Sequence, residues 1–380
     1  MKRMKSKDFS QLKYFPGDVG NPFDVFLHSL EKIEKLPSIL FGLLLIILAV
    51  CFSNWNTTRG MILVMFFFID WVLLALLPVY NISFGPSKPP ALTLVLLRCF
   101  FSIFPLTFTP WVGLQLLGTA LVIYGFWIEP HHIRVTFQTL KVKGFYAPRP
   151  LRLLHIGDLH IERISKREIE LNRLIKNLKP DIILFSGDIL NLSYLRDETA
   201  IRDARQIISE WEAPLGVFLV AGSPAVDLPE TIPGLLDGIP VHFLDNKMLH
   251  INFHEKVINL IGLQSTQRPH IEAPILKSLL ENEKNENLNI LLYHSPDIAP
   301  EAAALGIDLQ LSGHTHAGQV RLPVFGALLT GSLYGKRFEA GRIQVEDMTL
   351  YVTRGIGMEG GGAPRVRFLC PPEIILWEIS

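Results

Sequence analysis

Long uncharged stretches near the start of the chain limit its folding more than any other feature. Residues 36–58 contain no charged side chain, residues 60–80 contain only Asp70, and residues 89–128 contain only Arg98. A run of about 20 apolar residues is long enough to cross a bilayer as a helix. We therefore predict an all-α membrane domain over residues 36–128. Its four spans are predicted at 36–58, 60–80, 91–108 and 109–128.

The distribution of lysine and arginine predicts the orientation of this domain. Residues 1–35 carry many of these side chains, and so does the segment after the last span, whereas the first loop on the opposite side has only Arg59. Positively charged flanks stay on the cytoplasmic side of a membrane. We therefore expect residues 1–35 to be a basic cytoplasmic segment. The soluble part should face the cytosol from a multi-pass position in the inner (cytoplasmic) membrane.

Two charged residues fall inside the predicted spans. A lone charge in the hydrocarbon core is costly and usually finds a partner or a functional role. Asp70 and Arg98 would lie at similar depths if the second and third spans run antiparallel. We therefore expect them to form an ion pair that supports the structure rather than a transport pathway.

The rest of the chain has the pattern of an α/β domain. Residues 129–150 predict a linker followed by a first strand. Residues 151–380 alternate short apolar runs, which are typical of strands, with amphipathic segments such as 166–179, which is typical of a helix. Basic and acidic residues balance at 36 each, so the chain has no overall bias toward nucleic acid. The cysteines are scattered and form neither a disulfide framework nor a zinc motif.

Polar clusters close several of the predicted strands, and their side chains are typical metal ligands. The clusters supply two carboxylates and four imidazoles, namely Asp158, His160, Asp188, His294, His314 and His316. Loops at strand ends can bring side chains together without disturbing a sheet. Such nitrogen and oxygen ligands suit manganese, iron or zinc, and two ions about 3.5–4 Å apart can polarise a phosphoryl group and acidify water. A carboxylate such as Asp188 is well suited to bridge two cations.

These motifs resemble those of a known family. The phrases DLH, GD, YHSPD and GHTHAGQV are similar to the motifs of the calcineurin-like metallophosphoesterases. The wider phrases IEPHHIRVTF, YVTRGIG and RFLCPPEIILWEI resemble its membrane-anchored branch. The resemblance implies an α/β metallophosphoesterase domain, a β-sandwich flanked by helices, over residues 151–380. It also implies two divalent metal ions, with manganese as the first choice and iron, zinc, magnesium or cobalt as alternatives.

The same resemblance implies a role for each ligand. The first metal would be held by Asp158, His160, Asp188 and His316. The second would be held by Asp188, His294 and His314. The catalytic residues would be Asp158, Asp188 and His316. Gln319, which follows the last histidine motif, would lie behind the ligands and support them.

One motif departs from the family's pattern. Where the family carries Gly-Asn-His followed by an acidic residue, this chain has Gly222, Ser223, Pro224 and Ala225. The amide that completes the second metal site and the histidine that protonates the leaving oxygen are both missing. Ser223 offers a weak ligand at best, and Pro224 has no side-chain proton to donate.

The missing acid bears on the choice of substrate. General acid catalysis is worth about 10²–10⁴-fold for a leaving group that needs a proton, and a phosphate leaving group needs it less than an alkoxide does. An enzyme fixed to a membrane should act on a lipid or lipid-linked substrate. The resemblance adds that some family members, including membrane-tethered chlamydial enzymes, hydrolyse UDP-diacylglucosamine to lipid X and UMP in lipid A biosynthesis. We therefore expect hydrolysis of the pyrophosphate of a nucleotide-linked lipid.

Two other functions are compatible with the sequence. A phosphodiesterase or phosphatase acting on membrane phospholipids would use the same ligands. A non-catalytic metal or nucleotide sensor would keep those ligands for binding alone, and metal binding without turnover would reveal it. The sequence predicts no nucleic-acid partner, and it carries no signal for an oligomeric state.

Overall fold

Helices make up the apolar part of the chain. The computed structural model describes residues 6–53, 55–281 and 287–380. Residues 1–5 of the predicted basic segment and Asn54 of the first predicted span lie outside the described residues. The helices of this part are α1 (Pro22–Glu34), α2 (Ser38–Phe52), α3 (Thr57–Leu76), α4 (Lys88–Ser102) and α5 (Phe108–Ile123).

The lengths of these helices decide how many of them can cross a bilayer. Helix α3 has 20 residues, and α5 continues through a π-helical turn to His131, which gives 24 residues from Phe108. Both are long and apolar enough to span a membrane, and α1 with α2 is a third candidate that is bent by 101°. Helices α2 and α4 have 15 residues each, about 22 Å against a hydrocarbon core of about 30 Å. The described residues thus supply two to three candidate spans, and the prediction of four is not confirmed.

An ion pair in the middle of the helical bundle joins α3 to α4, as predicted. Arg98 donates from Nε and Nη2 to the two carboxylate oxygens of Asp70, at 2.6 and 2.8 Å. Its Nη1 donates to the backbone and side-chain oxygens of Gln115 on α5, at 2.7 and 3.0 Å. Both charged side chains are buried. One neutralised charge pair therefore ties three helices together.

Two mixed β-sheets follow the bundle. The strands of the first sheet are β1 (Arg134–Leu140), β2 (Leu151–Ile156), β3 (Ile182–Phe185), β4 (Val217–Leu219), β5 (His242–Phe243) and β14 (Glu373–Ile379). Their spatial order is β1-β14-β2-β3-β4-β5. Strands β2 to β5 are parallel, and β14 is antiparallel to β2 and parallel to β1. Strand β1 lies within residues 129–150, where the sequence predicted a linker and a first strand, and the domain boundary at residue 151 stays a prediction.

The second sheet contains the middle of the chain. Its strands are β6 (Lys247–Phe253), β7 (Lys256–Gly262), β8 (Leu288–Leu292), β9 (Leu309–Ser312), β12 (Gly341–Val345) and β13 (Met348–Val352). Their spatial order is β12-β13-β9-β8-β7-β6, with an antiparallel strand at each edge and parallel strands between. A short hairpin of β10 (Arg321–Leu322) and β11 (Gly326–Ala327) projects after β9.

The two sheets pack face to face and carry helices on their outer faces. Leu153 and Trp377 of the first sheet share a buried cluster with Leu260 and Leu311 of the second. The outer helices are α6 (Lys166–Leu178), α7 (Glu198–Ser209) and α8 (Ile232–Leu236) on the first sheet, and α9 (Pro269–Leu280) and α10 (Ala299–Ala304) on the second. The predicted α/β architecture, two sheets flanked by helices, is therefore confirmed.

The loop that joins α3 to α4 packs on the sheet domain. Glu162 accepts hydrogen bonds from Ser83 Oγ and from the Phe84 amide, at 3.2 and 2.9 Å, and it also pairs with Arg365. The hydroxyl of Tyr194 donates to the Phe84 carbonyl at 2.7 Å. This end of the bundle therefore faces the sheet domain, and the α2–α3 and α4–α5 turns lie at the far end.

Candidate metal centre

The six predicted ligands lie where strands of both sheets end. They are Asp158 and His160 after β2, Asp188 after β3, His294 after β8, and His314 and His316 after β9. Parallel strands present their carboxyl ends at the same edge of a sheet, where ligands commonly bind. Since both sheets contribute such ends at one edge of the sandwich, side chains far apart in sequence converge there.

The backbone of the ligand-bearing loops is unusual. Asp158, His160, Asp188, His314 and His316 all adopt left-handed conformations, with φ of 51°, 42°, 62°, 72° and 49°. Residues other than glycine seldom adopt this conformation, which costs of the order of 1–3 kcal/mol each. Such outliers persist only where the surrounding structure holds them, and they cluster at functional sites. Their concentration in these loops marks this edge as the candidate site.

Two glycines let the acidic ligands lie close to the backbone of neighbouring loops. A Cβ on Gly222 would lie 2.1 Å from Asp188 Oδ1, and a Cβ on Gly313 would lie 2.6 Å from Asp158 Oδ2. The amide that follows each glycine donates to the same carboxylate, at 2.7 and 2.8 Å respectively. A side chain at either glycine would therefore displace a carboxylate from its position.

Four of the predicted ligands form one compact group. Asp158, His160, Asp188 and His316 each present a ligand atom within 4.8 Å of the others. The Nε2 atoms of His160 and His316 face each other at 2.9 Å, and His160 Nε2 lies 3.4 Å from Asp188 Oδ2. Within the described part of the chain, Asp158 Oδ2 is buried without a hydrogen-bond partner. The facing Nε2 atoms of the two histidines and the unpartnered oxygen of Asp158 are suited to bind a cation that lies between them.

A second group gathers around Ser223. Its Oγ lies 3.1 Å from His294 Nε2, 3.3 Å from His314 Nδ1 and 3.4 Å from Asp188 Oδ2. His294 Nε2 also lies 3.2 Å from Asp188 Oδ2. A hydrogen bond of 2.8 Å between His294 Nδ1 and the Ser186 carbonyl orients the ring so that Nε2 points into the site. The Ser223 hydroxyl therefore lies among the three residues expected at the second metal.

Burial and mutual contact shift the protonation of these groups. Burial raises the pKa of Asp158 to about 6, although His294 opposes the shift. Burial would also raise the pKa of Asp188, but the adjacent His294 and His160 hold it well below its usual range. Burial, with a further contribution from His294, lowers the pKa of His314 to about 3. Burial would lower the pKa of His294, but the adjacent Asp188 raises it to about 9. Since cations coordinate ionised carboxylates and neutral imidazoles, binding of a cation here would release the proton of His294.

The donor set as a whole fits two divalent cations. Two carboxylates, four imidazoles and one hydroxyl are hard and borderline ligands of the kind that first-row divalent metals prefer. Asp188 contacts both groups, which is the position of a bridging ligand. The structure thus brings together all six residues that the sequence singled out. The assignment of Asp158, Asp188 and His316 as catalytic stays a prediction.

Two further residues of the site were not predicted from the sequence. Buried Asp227 accepts hydrogen bonds from the amides of Asp188 and Gly222, at 2.8 and 2.7 Å, and so holds two ligand loops together. Gln267 is buried after β7, with its amide nitrogen 3.5 Å from Ser223 Oγ. Gln267 follows an apolar run as the ligands do, so the strand-end pattern contained a signal for it. Asp227 acts on backbone amides, which leave no trace in the sequence.

Gln319 bonds to the loop that precedes β14, and its supporting role behind the ligands stays a prediction. In the orientation that satisfies both its polar atoms, its side chain donates to the Val366 carbonyl at 3.2 Å and accepts from the Glu359 amide at 2.7 Å. Its backbone carbonyl accepts from the Phe368 amide at 2.9 Å. Gln319 therefore connects the loop of His316 to the glycine-rich loop that precedes β14.

A stretch of the N-terminal segment forms one wall of the site. The Gly17 carbonyl accepts a hydrogen bond from the Ala225 amide at 3.2 Å, and Asp18 forms an ion pair with Arg268. The Arg268 guanidinium lies over the ring of buried Phe15, 5.3 Å from its centroid. These contacts hold the segment against the loops that follow β4 and β7. The sequence had predicted this segment only as basic and cytoplasmic.

Replacement of Gly17 tests the importance of this wall. A Cβ at Gly17 would lie 2.7 Å from Ser223 Oγ and 2.9 Å from His314 Cε1, whereas a Cβ at Gly20 meets nothing within 4 Å. We expect Gly17→Ala to lower metal affinity and kcat/KM by about 10–100-fold, the usual cost of a change beside metal ligands. Gly20→Ala is the matched control, because both glycines have a left-handed φ, +76° and +75°. Metal titration and steady-state kinetics on both variants give the answer, and equal losses would show that backbone strain alone is responsible.

Known proteins resemble much of this chain. The family model described as calcineurin-like phosphoesterase matches residues 151–318. The metallophosphoesterase YkuE of Bacillus subtilis is 29% identical over 273 residues, which cover 68% of this chain and 89% of that protein. The UDP-2,3-diacylglucosamine pyrophosphatase LpxG of Chlamydia trachomatis is 27% identical over 304 residues, 66% of this chain and 90% of that protein. The phosphodiesterase YaeI of Escherichia coli is 25% identical over 234 residues, 60% of this chain and 82% of that protein.

Proposed function

We propose that the substrate of this protein is a nucleotide-linked lipid. Residues 151–318 belong to the calcineurin-like phosphoesterase family. The chain is therefore a hydrolase of phosphoester or pyrophosphate bonds. The best candidate is UDP-2,3-diacylglucosamine, cleaved at its pyrophosphate to lipid X and UMP in lipid A biosynthesis. The similarity to LpxG, at 27% identity, supports this choice.

The observation that carries the proposal is the altered loop at Ser223. All six other ligands are retained and converge, whereas serine and half-buried Pro224 stand where the family has an amide and a histidine. A phosphate leaving group is stable as an anion, so its departure depends less on a proton donor than the departure of an alkoxide does. Cleavage of a pyrophosphate is therefore the reaction that this site has retained the means to perform.

The residues of the site have distinct tasks in this proposal. When bound, two divalent ions supply Lewis-acid polarisation of the phosphoryl oxygens and lower the pKa of water. Asp158, His160 and His316 would hold the first ion, and His294 and His314 would hold the second. Asp188 contacts both groups and fixes their separation. The Ser223 hydroxyl completes the second group as a weaker ligand than the family's amide.

The helical bundle supports a position in the membrane. Leucine and isoleucine side chains on its outer surface, such as Leu43, Ile47, Leu96 and Leu116, are 49%, 57%, 51% and 58% exposed. Apolar surface of this extent suits contact with lipid rather than water. We place the bundle in the inner membrane as a multi-pass anchor, with the sheet domain on the cytosolic side that the basic flanks favour. The two helices of 15 residues would require local thinning of the bilayer.

A phosphodiesterase that acts on membrane phospholipids is the second candidate. The similarity to the phosphodiesterase YaeI, at 25% identity, favours it. That reaction expels an alkoxide, for which the missing histidine would matter more. Relative rates on a pyrophosphate and on an alkyl phosphodiester therefore separate the two candidates. A non-catalytic sensor would bind metal and turn over neither substrate.

Restoring the family's motif tests the leaving-group argument. We expect Ser223→Asn with Pro224→His to raise the affinity for the second metal ion. We also expect it to accelerate alkyl phosphodiester hydrolysis by up to about 10²–10⁴-fold, the usual worth of a general acid, with a much smaller gain on pyrophosphates. Ser223→Asn alone is the control, since it restores a ligand without an acid and should favour neither substrate. Equal gains of the double variant on both substrates would remove the argument for a pyrophosphate.

A further inference from the structure

A cavity lies between the helical bundle and the sheet domain. Its volume is ≈ 540 Å³, within the range of about 300–1,000 Å³ typical of small-molecule sites. Side chains of α4 and α5, including Leu97, Leu117 and Leu121, line one side. The other side is lined by two loops of the sheet domain, with Val320 and Phe368. The cavity thus connects the part of the molecule that we place in the membrane with the part that carries the metal centre.

The cavity begins close to the metal centre. Val320 lies four positions after His316 in the chain, and a fully extended chain advances about 3.3–3.6 Å per residue. The two residues are therefore at most about 14 Å apart. Phe368, on the other loop, donates its amide to the carbonyl of Gln319, directly before Val320. The segment that follows His316 therefore also forms part of the cavity wall.

The chemistry of the walls favours an uncharged hydrocarbon. Arg98 and Asp70 border the cavity at its membrane end, but each satisfies the other. The remaining guanidinium donors of Arg98 go to Gln115 and Thr119, at 2.7 Å in each case. No donor of Arg98 is left for an anionic headgroup within the part of the chain that the structure describes. The other lining side chains are almost all apolar, which suits an alkyl chain.

We infer that this cavity holds an acyl chain of the lipid substrate while the substrate's pyrophosphate lies at the metal centre. The inference rests on the proposed function, in which the acyl chains leave the sugar only a few bonds from the pyrophosphate. The hairpin after β9 lines the cavity with Leu322 and exposes the apolar side chain of Val324 at its turn. A substrate chain, rather than a bulk lipid, accounts for an apolar cavity whose wall includes Val320, on the segment that directly follows the ligand His316.

Tryptophan substitutions that fill the cavity test the inference. Leu97 and Leu117 line it, whereas the adjacent Leu96 and Leu116 do not, and all four are similarly exposed at 51–58%. The measured quantity is the ratio of kcat/KM for UDP-2,3-diacylglucosamine to kcat/KM for a nucleotide sugar without acyl chains. We expect L97W and L117W to lower this ratio at least about tenfold, as a mismatch in an apolar pocket does. L96W and L116W should keep it, and an equal fall in all four variants would overturn the inference.

A photoreactive acyl probe separates this inference from the proposed function. We would irradiate the full-length protein in nanodiscs with a diacyl nucleotide sugar that carries a diazirine at the end of one chain. Labelling of α4 or α5 that is lost in L97W and retained in L96W supports an acyl site, even if the wild-type protein fails to cleave the nucleotide lipid. Equal labelling by a phosphatidylglycerol probe, without competition from the nucleotide lipid, would assign the cavity to bulk lipid and overturn the inference.

Discussion

Asp188→Ala is expected to abolish metal-dependent turnover, with a loss in kcat/KM of at least about a hundredfold. Replacing a residue that only supports a metal ligand costs about 10–100-fold, so loss of a ligand itself should cost more. Asp188 Oδ2 lies 3.2 Å from His294 Nε2 and 3.4 Å from His160 Nε2, so one carboxylate serves both groups of ligands. Its removal should also lower the number of bound metal ions, which metal analysis of the purified protein measures directly.

Asp181→Ala is the matched control for this loss. Asp181 comes directly before β3 and Asp188 follows its end, so the two carboxylates lie at opposite ends of one strand. Asp181 accepts hydrogen bonds from Arg149 and from the Arg152 amide, away from the site. Its replacement should leave the metal content unchanged. Full metal content and turnover in Asp188→Ala, or an equal metal loss in Asp181→Ala, would contradict the assignment of Asp188 as the shared ligand.

Breaking the ion pair of the bundle is expected to have the largest effect on stability. Asp70→Leu and Arg98→Leu should each lower the free energy of unfolding by about 3–5 kcal/mol, because each leaves an uncompensated buried charge. The two residues share hydrogen bonds of 2.6 and 2.8 Å, and both side chains are buried. Chemical denaturation of the purified protein in mixed micelles measures the change.

The double substitution decides whether the pair itself is responsible. With both charges gone, neither residue leaves a buried charge without its partner, and an apolar replacement of a buried pair is often neutral or stabilising. Asp70→Leu combined with Arg98→Leu should therefore cost less than either single change. Additive losses in the double variant would show instead that the two side chains stabilise the bundle independently of each other.

The strand-end pattern predicted the six ligands because it reflects a physical constraint. Strands β3 and β8 are short apolar runs buried inside a two-layer domain, so polar side chains can gather only after they end. Short apolar runs predicted the strands that carry the ligands, and amphipathic spacing over residues 166–179 predicted helix α6. Local sequence therefore determines which side chains reach the edge of the sheets, and parallel pairing brings them together.

Features that depend on contacts between residues far apart in the chain could not be predicted from local sequence patterns. Pairing of β1 with β14 joins opposite ends of the sheet domain, and hydropathy alone assigned β1 to a separate segment. The wall formed by Gly17 rests on contacts with residues far along the chain. In the helical bundle, Asn56 caps α3 by accepting a hydrogen bond from the Arg59 amide at 3.0 Å. The first span was predicted over residues 36–58, but α2 ends at Phe52 and α3 begins at Thr57. The polar turn between them therefore shortens the predicted span.

The structure shows which polar groups surround Ser223 in the altered loop after β4. The sequence predicted that Ser223 is a weaker metal ligand than the asparagine of the family. In the structure, Ser223 Oγ lies within 3.5 Å of Asp188, His294 and His314. Gln267 supplies a buried amide next to it, 3.5 Å away. The loop therefore retains polar groups around the second cation position, while nothing at Pro224 can protonate a leaving group. This combination is compatible with the proposed reaction, whose phosphate leaving group depends little on a proton donor.

The most direct measurement is hydrolysis of UDP-2,3-diacylglucosamine in nanodiscs by the full-length protein supplied with Mn²⁺. We expect release of UMP and lipid X in equal amounts, detected by mass spectrometry, and no release after chelation of the metal or with Asp188→Ala. A glycerophospholipid in the same nanodiscs should be cleaved more slowly. Bound metal without release of UMP, or cleavage of the glycerophospholipid alone, would contradict a pyrophosphate hydrolase of a nucleotide-linked lipid.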